Sequence, residues 1–234
     1  MKPRFLLPLP LLALTGCIVD ASHSGPVQYS SESVELDNSE QVHVELRMGA
    51  GDLRVSDGAQ KLVRADFSYN VPSWKPEVRY TREGKLGSLR IEQPGTNHST
   101  FGNTRYRWDL QLSNKVPLDL TVHFGAGQAR LDLGSLLLRG LEINMGVGQI
   151  DLDLRGKPRH SYNVNIHGGI GEATVRLPAD AGIYAEAHGG IGSIDVRGLR
   201  HEEGHWVSES YEQSENKIRI EVQGGIGAIK LVAD

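Results

Sequence analysis

One pattern returns four times in the middle of this chain: VHFGAGQARLDL, INMGVGQIDLDL, IHGGIGEATVRL and AHGGIGSIDVRG. The first glycine of each Gly-x-Gly falls at 125, 146, 169 and 190, so the steps are 21, 23 and 21 residues. Two outlying copies bracket the run, LRMGAGDLRVSD around Gly49 and VQGGIGAIKLVA around Gly225. Self-similarity at a fixed period of roughly 20–50 residues marks a stacked repeat architecture, in which no unit buries its apolar face without its neighbours. This constraint outweighs every other property of the sequence.

Apolar residues alternate on both sides of the glycines. Before them stand Leu118, Leu120 and Val122; Leu141 and Ile143; Val164 and Ile166; Ile183, Ala185 and Ala187; Ile218, Ile220 and Val222. After them come Leu131 and Leu133, Ile150 and Leu152, Val175 and Leu177, Ile194 and Val196, Ile229 and Leu231. Period two is the signature of a half-buried strand. Gly-x-Gly between two such strands suits a sharp corner, because glycine alone reaches positive φ without strain. The middle residue (Ala126, Val147, Ile170, Ile191 or Ile226) is expected to plug the core at the bend. Each coil then consists of two short strands and two turns, about 4.8 Å above the last.

Charged residues fall into outward columns. Arg130 beside Asp151, Asp153 beside Arg176 and Asp195 beside Lys230 are expected as vertical ion pairs, with Arg176 beside Arg197 as a contrary pair. Upstream, residues 42–48 alternate strictly, residues 62–70 and 77–80 read as strands, and residues 88–93 return as a hairpin partner across Glu83-Gly84-Lys85-Leu86-Gly87. Residues 94–104 read as a loop, after which Trp108-Asp109-Leu110-Gln111-Leu112 resumes the alternation, with Trp108 in the core. No window has a helical period. The expected class is all-β, a single-domain β-solenoid of stacked two-strand coils, with N-terminal strands and a hairpin leading into the stack.

The N-terminus reads as an address. Lys2 and Arg4 precede an apolar run from Phe5 to Leu14, as in a secretory signal, and the run is shorter than the about 20 residues a membrane span needs. Its end, Leu14-Thr15-Gly16-Cys17, resembles a bacterial lipobox, which implies lipid attachment at Cys17, the one cysteine of the chain. Ile18 after it resembles outer-membrane sorting. The domain reading is a lipoprotein signal peptide at 1–16, a flexible Ser-rich tether at 17–33, and the solenoid at 34–234 with an inserted segment at 199–217. The net charge of −4 and the lack of a basic patch argue against nucleic acid.

The lipobox, the Trp-Asp-Leu-Gln-Leu…Val-Pro-Leu-Asp-Leu approach and the serial Gly-x-Gly corners together resemble the toast-rack family. These are β-solenoid domains of bacterial envelope proteins, adhesin-like and related to the extracytoplasmic part of cell-wall-active-antibiotic response proteins. The resemblance implies an envelope location, a non-enzymatic scaffold, binding or adhesion role with a link to envelope stress, and no set of catalytic residues or cofactor. The partners it suggests are the membrane, through Cys17, and an envelope protein or glycan.

Three constellations invite a closer look. His201-Glu202-Glu203-Gly204-His205 matches the His-Glu-x-x-His motif of zinc hydrolases, which needs a helix to bring both imidazoles to one face. Here the motif lies between strand patterns, with no third ligand evident. A column two places before the first glycine holds His123, His167 and His188, with Glu186 and Glu221 in the next column. If the coils stack in chain order, His167 sits over His188 and Glu186 over Glu221, a candidate cation or pH sensor set against a plain polar ladder. Trp206 and Tyr211, in the inserted segment, are either a contact surface or a lid over the end of the stack.

Overall fold

The computed structural model describes residues 22–23, 25–95, 100–101 and 104–234. Cys17 and the signal sequence lie outside them, as does part of the expected loop at 94–104. Among the described residues fifteen strands follow in order: β1 (Ser22–His23), β2 (Gln28–Val34), β3 (Gln41–Ser56), β4 (Val63–Tyr69), β5 (Glu77–Glu83), β6 (Leu86–Glu92), β7 (Thr100–Phe101), β8 (Tyr106–Leu112), β9 (Leu118–Asp132), β10 (Leu138–Asp153), β11 (Tyr162–Leu177), β12 (Gly182–Arg197), β13 (Arg200–Glu202), β14 (His205–Val207) and β15 (Lys217–Ala233). A single 3₁₀ turn at Pro72–Trp74 is the only helical element among the described residues. β1 and β7 pair with each other, and the other thirteen strands form one sheet.

The sheet is built around six long strands that pair in parallel through their whole length, corner included. β9, for example, matches β10 from Leu118 to Asp132, and the middle residues of the corners are partners, Ala126 with Val147. Each coil is thus one continuous bent strand, where the sequence suggested two. Side chains before the corner (Leu120, Ile143, Val164, Ile220) and after it (Leu131, Leu152, Val175, Leu231) all turn inward and are buried. At the N-terminal end the sheet forks from β3. Its first half pairs with β6, which forms the expected hairpin with β5, and its second half pairs with β8, which leads on to β4 and β2. Trp108 fills the space below this fork, fully buried, with Phe67 and Tyr106 edge-on at 5.6 and 5.9 Å between ring centres.

Two expectations need correction. Residues 28–33, assigned to a flexible tether, belong to β2, which pairs antiparallel with β4 over seven residues from Gln28 to Val34. A Ser-rich strand gives no apolar alternation, but an edge strand gains its place from backbone pairing, and polar side chains suit its exposed side. The coils also do not stack in chain order. β15 lies between β11 and β12, paired in register to both. The column of charges gives a reason: in chain order Arg176 would face Arg197, whereas Val232 of β15 now separates them. Like charges directly opposite one another destabilise a sheet.

The remaining ladders are partly as expected. Arg130 and Asp151 are register partners, 3.8 Å apart. Asp153 and Arg176 are also register neighbours, but the Arg176 guanidinium turns to Asp151, while Asp153 is held by Arg155 at 2.6 Å. Lys230 sits beside Asp195 but bonds Glu172 at 2.7 Å, and Asp195 pairs with Arg197.

Candidate functional site

The corner is the part of each coil that most needs its sequence. The second glycine of every Gly-x-Gly has a left-handed φ, from 127° at Gly127 to 150° at Gly192. A Cβ on Gly171 would also stand 1.7 Å from the carbonyl oxygen of Gly148 in the coil below. The tight corners throw their middle residues outward, which corrects the expected core plug. Val147, Ile170, Ile226 and Ile191 are 50%, 50%, 49% and 71% exposed. Inward side chains stand at Met145 and Ile150, an odd and an even position, so the alternation changes phase across the bend and leaves position 147 on its convex side. Ala50, Ala126, Val147, Ile170, Ile226 and Ile191 are successive register partners, forming an aliphatic ridge whose side chains grow toward the C-terminal end.

Beneath the ridge the packing changes along the stack. The residue before the first glycine is a buried Met48, Phe124 or Met145 in the first three coils, and Gly168, Gly224 or Gly189 in the last three. Without side chains at those three positions, a cavity of about 80 Å³ remains, lined by Met145, Ile166, Ala173, Val222, Ile229 and Ile194. At β11 two of the residues facing it, Gly168 and Ala173, are small.

On the face formed by the first halves, the histidine column reads Arg47, His123, Asn144, His167, Gln223, His188 in spatial order. No two histidines are neighbours, because Gln223 of the intercalated β15 stands between His167 and His188. The nearest pair is two strands apart, about 9.6 Å. Glu186 and Glu221 are adjacent, as expected. The Tyr184 hydroxyl donates to Glu186 at 2.7 Å and lowers its pKa; burial opposes this, and His188 and Arg219 add to the net decrease. Glu221 accepts from Gln223 at 2.5 Å. His123 lies 3.7 Å from Glu45, which is 8% exposed. Burial raises the Glu45 pKa, but the hydrogen bond from Arg47 and the charges of Arg47, Arg90 and His123 outweigh it, and the net shift is downward. Among the described residues no three His, Cys, Asp or Glu side chains are grouped to hold a metal.

The His-Glu-x-x-His motif does not lie on a helix. Arg200–Glu202 and His205–Val207 form a hairpin turning at Glu203 and Gly204, with His201 opposite Trp206 and Glu202 opposite His205. Neighbouring pairs in such a ladder point to opposite sides. His201 therefore lies against Trp206, 5.1 Å between rings, while His205 stacks on Tyr184 at 4.6 Å. The two imidazoles do not share a face, and the zinc-hydrolase geometry is absent. The hairpin instead caps the outer edge of β12 through Tyr184–Val207 and Ala185–Trp206. Trp206 of this lid packs on the core, and Tyr211 sits under the Lys217 ammonium at 4.4 Å, 6.2 Å from the Tyr184 ring. Ser208, which no motif singles out, pins the cap. Its buried hydroxyl accepts from the Ile183 amide and donates to the Ala181 carbonyl, both at 2.9 Å.

Comparison with known families fits this architecture. The model for the N-terminal domain of toast_rack, DUF2154, matches residues 23–176. The chain belongs to the toast-rack family. The model for the C-terminal domain of the cell wall-active antibiotics response protein LiaF also matches this toast-rack chain, over residues 127–231. Among solved structures, a candidate cell adhesion protein from Clostridium sporogenes ATCC 15579 is similar at 33% identity with a TM-score of 0.86, across 89% of this chain and 100% of that one. Candidate adhesins from Bacteroides fragilis NCTC 9343 and Parabacteroides distasonis ATCC 8503 align at 10% and 11% identity, with TM-scores of 0.33 and 0.28. Those alignments cover 89% and 91% of this chain and 98% and 100% of theirs. No curated protein matches the toast-rack chain.

Proposed function

We propose that this toast-rack chain is a non-enzymatic protein of the bacterial cell envelope, held to the outer membrane by lipid on Cys17, whose solenoid presents a binding surface to an envelope protein or glycan. The observation that carries the reading is the aliphatic ridge. Val147, Ile170, Ile226 and Ile191 stand in one line about 14 Å long at the strand spacing. A contiguous, exposed apolar feature on a rigid scaffold marks a contact surface more often than isolated apolar residues do. The name of the Clostridium protein points toward adhesion, and the match to a cell-wall-antibiotic response domain toward a role in envelope stress.

A photo-crosslinking residue at position 170 of the lipidated chain, in cells, tests the ridge. The reading expects one reproducible adduct at position 170 that Ile226→Glu abolishes, and none from position 165, an exposed site on the same strand. Equal yields at 170 and 165 would refute a ridge-centred surface. For the anchor, Cys17→Ser is expected to move the chain from the membrane to the soluble fraction, and an unchanged distribution would remove that part of the proposal.

A further inference from the structure

The two sides of β12 are unequal. Its inner side pairs with β15 from Gly182 to Arg197, whereas its outer side pairs with β14 only at Tyr184 and Ala185. From Ser193 to Arg197, among the described residues, the outer edge has no strand beside it. The core is open at the same place. Ile194 is 40% exposed, while its counterparts Ile150, Ala173 and Ile229 are buried, and Val196 is half-buried where Leu152, Val175 and Leu231 are closed off. Ile194 also forms one wall of the cavity beneath the corner. The opposite end of the sheet is finished differently, with the polar β2 as its last strand.

We infer that the Ser193–Arg197 edge receives an extended segment of a partner protein, which adds one strand to the sheet. This rests on the binding-module reading above and names where and how one partner docks. A row of free backbone N–H and C=O groups is satisfied by another strand, the mode by which edge strands capture peptides. The β13–β14 hairpin decides between a lone strand and a second copy. It occupies the position next to β12 on the first-half face, two strands deep, so the free edge is a ledge one sheet thick. The end of a second copy, with both of its faces, would run into the hairpin, whereas a single strand fits.

The side chains define the segment further. Inward residues next to Ile194 and Val196 must be aliphatic to close the core. Outward residues next to Asp195 and Arg197 are favoured as basic and acidic, as Lys230 is beside Asp195 on the paired side. An antiparallel partner therefore reads acidic–aliphatic–basic–aliphatic.

A fluorescent peptide, acetyl-Thr-Glu-Val-Lys-Ile-Thr-Val-amide, tests this against its charge-exchanged form, acetyl-Thr-Lys-Val-Glu-Ile-Thr-Val-amide. The first is expected to bind about tenfold tighter to the full chain, since two cross-strand pairs change sign between the peptides. Binding should slow amide hydrogen exchange at residues 193–197 and be lost in Ile194→Lys. Because Ile194 touches the core, a second variant guards against misfolding: Asp195→Lys with Arg197→Glu should reverse the preference. Absence of binding by either peptide, protection elsewhere in the chain, or dimerisation of the chain through this edge in sedimentation would each overturn the inference. Loss of the position-170 adduct with peptide binding intact would instead refute the ridge and leave the ledge standing.

Discussion

The glycines of a single corner should respond to alanine with opposite signs. In β11, Gly168, Gly169 and Gly171 lie within four residues. Gly168 has a φ outside the left-handed region, and an added Cβ would find its nearest neighbours at 3.9 and 4.0 Å, facing the cavity. Gly168→Ala therefore gains about 0.4–1 kcal/mol from a less flexible unfolded chain. It gains about 0.8 kcal/mol more from burying a methyl group. Gly169→Ala would place Cβ 2.4 Å from the Gly146 carbonyl oxygen, forcing two coils apart. Gly171→Ala combines a 1.7 Å approach to Gly148 with φ of 146°. The backbone strain alone costs about 1–3 kcal/mol, and the clash adds to it. Urea unfolding of the four proteins should place Gly168→Ala about 1–2 kcal/mol above the parent and Gly171→Ala at least about 3 kcal/mol below it, with equal m-values for parent and Gly168→Ala. A destabilised Gly168→Ala, or a tolerated Gly171→Ala, would refute the assignment of the cavity and of the corner contacts.

Four further outcomes follow from the polar groups. Glu45 has a lowered folded pKa, so its stabilising contribution is complete above the ordinary value of 4.5 and is lost as pH falls through the lowered one. Glu45→Gln should cost about 1–2 kcal/mol at neutral pH and flatten the acid limb of a stability-versus-pH curve, and an unchanged limb would count against the cluster with Arg47 and Arg90. Asp132 has a raised pKa, from burial first and then from the charges of Asp153 and Asp57, so its ionisation opposes folding as pH rises through the carboxylate range. Asp132→Asn is accordingly expected to raise the melting temperature at pH 7 and to do so less at pH 3. His205→Ala should loosen the lid through the lost stack on Tyr184, read as faster hydrogen exchange at residues 182–185. The parent chain should retain no stoichiometric zinc after dialysis, and zinc that His201→Ala removes would contradict the hairpin geometry.

Much of the fold is legible in the sequence because a parallel stack repeats its own chemistry. Copies aligned on Gly-x-Gly put Leu131, Leu152, Val175 and Leu231 in one column, and an aliphatic column of that kind is what strands stacked in register on a shared core require. Stacking order is not legible, since neighbours in a solenoid are interchangeable to the extent that their columns match. The contrary Arg176 and Arg197 pair is the one local signal that β15 belongs between them. The outward direction of Val147 and its equivalents is hidden because simple alternation does not survive the bend, where the phase changes. The hairpin at 200–207 shows itself only through Gly204 and the short alternation around Trp206, too little to outweigh a motif match. The open ledge on β12 has no signature of its own, because Ile194 and Val196 look like any other core pair until the strand beyond them is found missing.

The position of β15 bears on how the molecule is made. An ordinary solenoid adds each coil to the one just completed, so growth can follow the emerging chain. Here β12 has its long parallel partner only in residues 217–233, which follow it in the chain after the β13–β14 hairpin. Until that strand arrives, β11 and β12 both present raw edges toward the same gap. The seventeen residues of β15 act as a keystone, and a chain cut short before Lys217 loses two coils, not one.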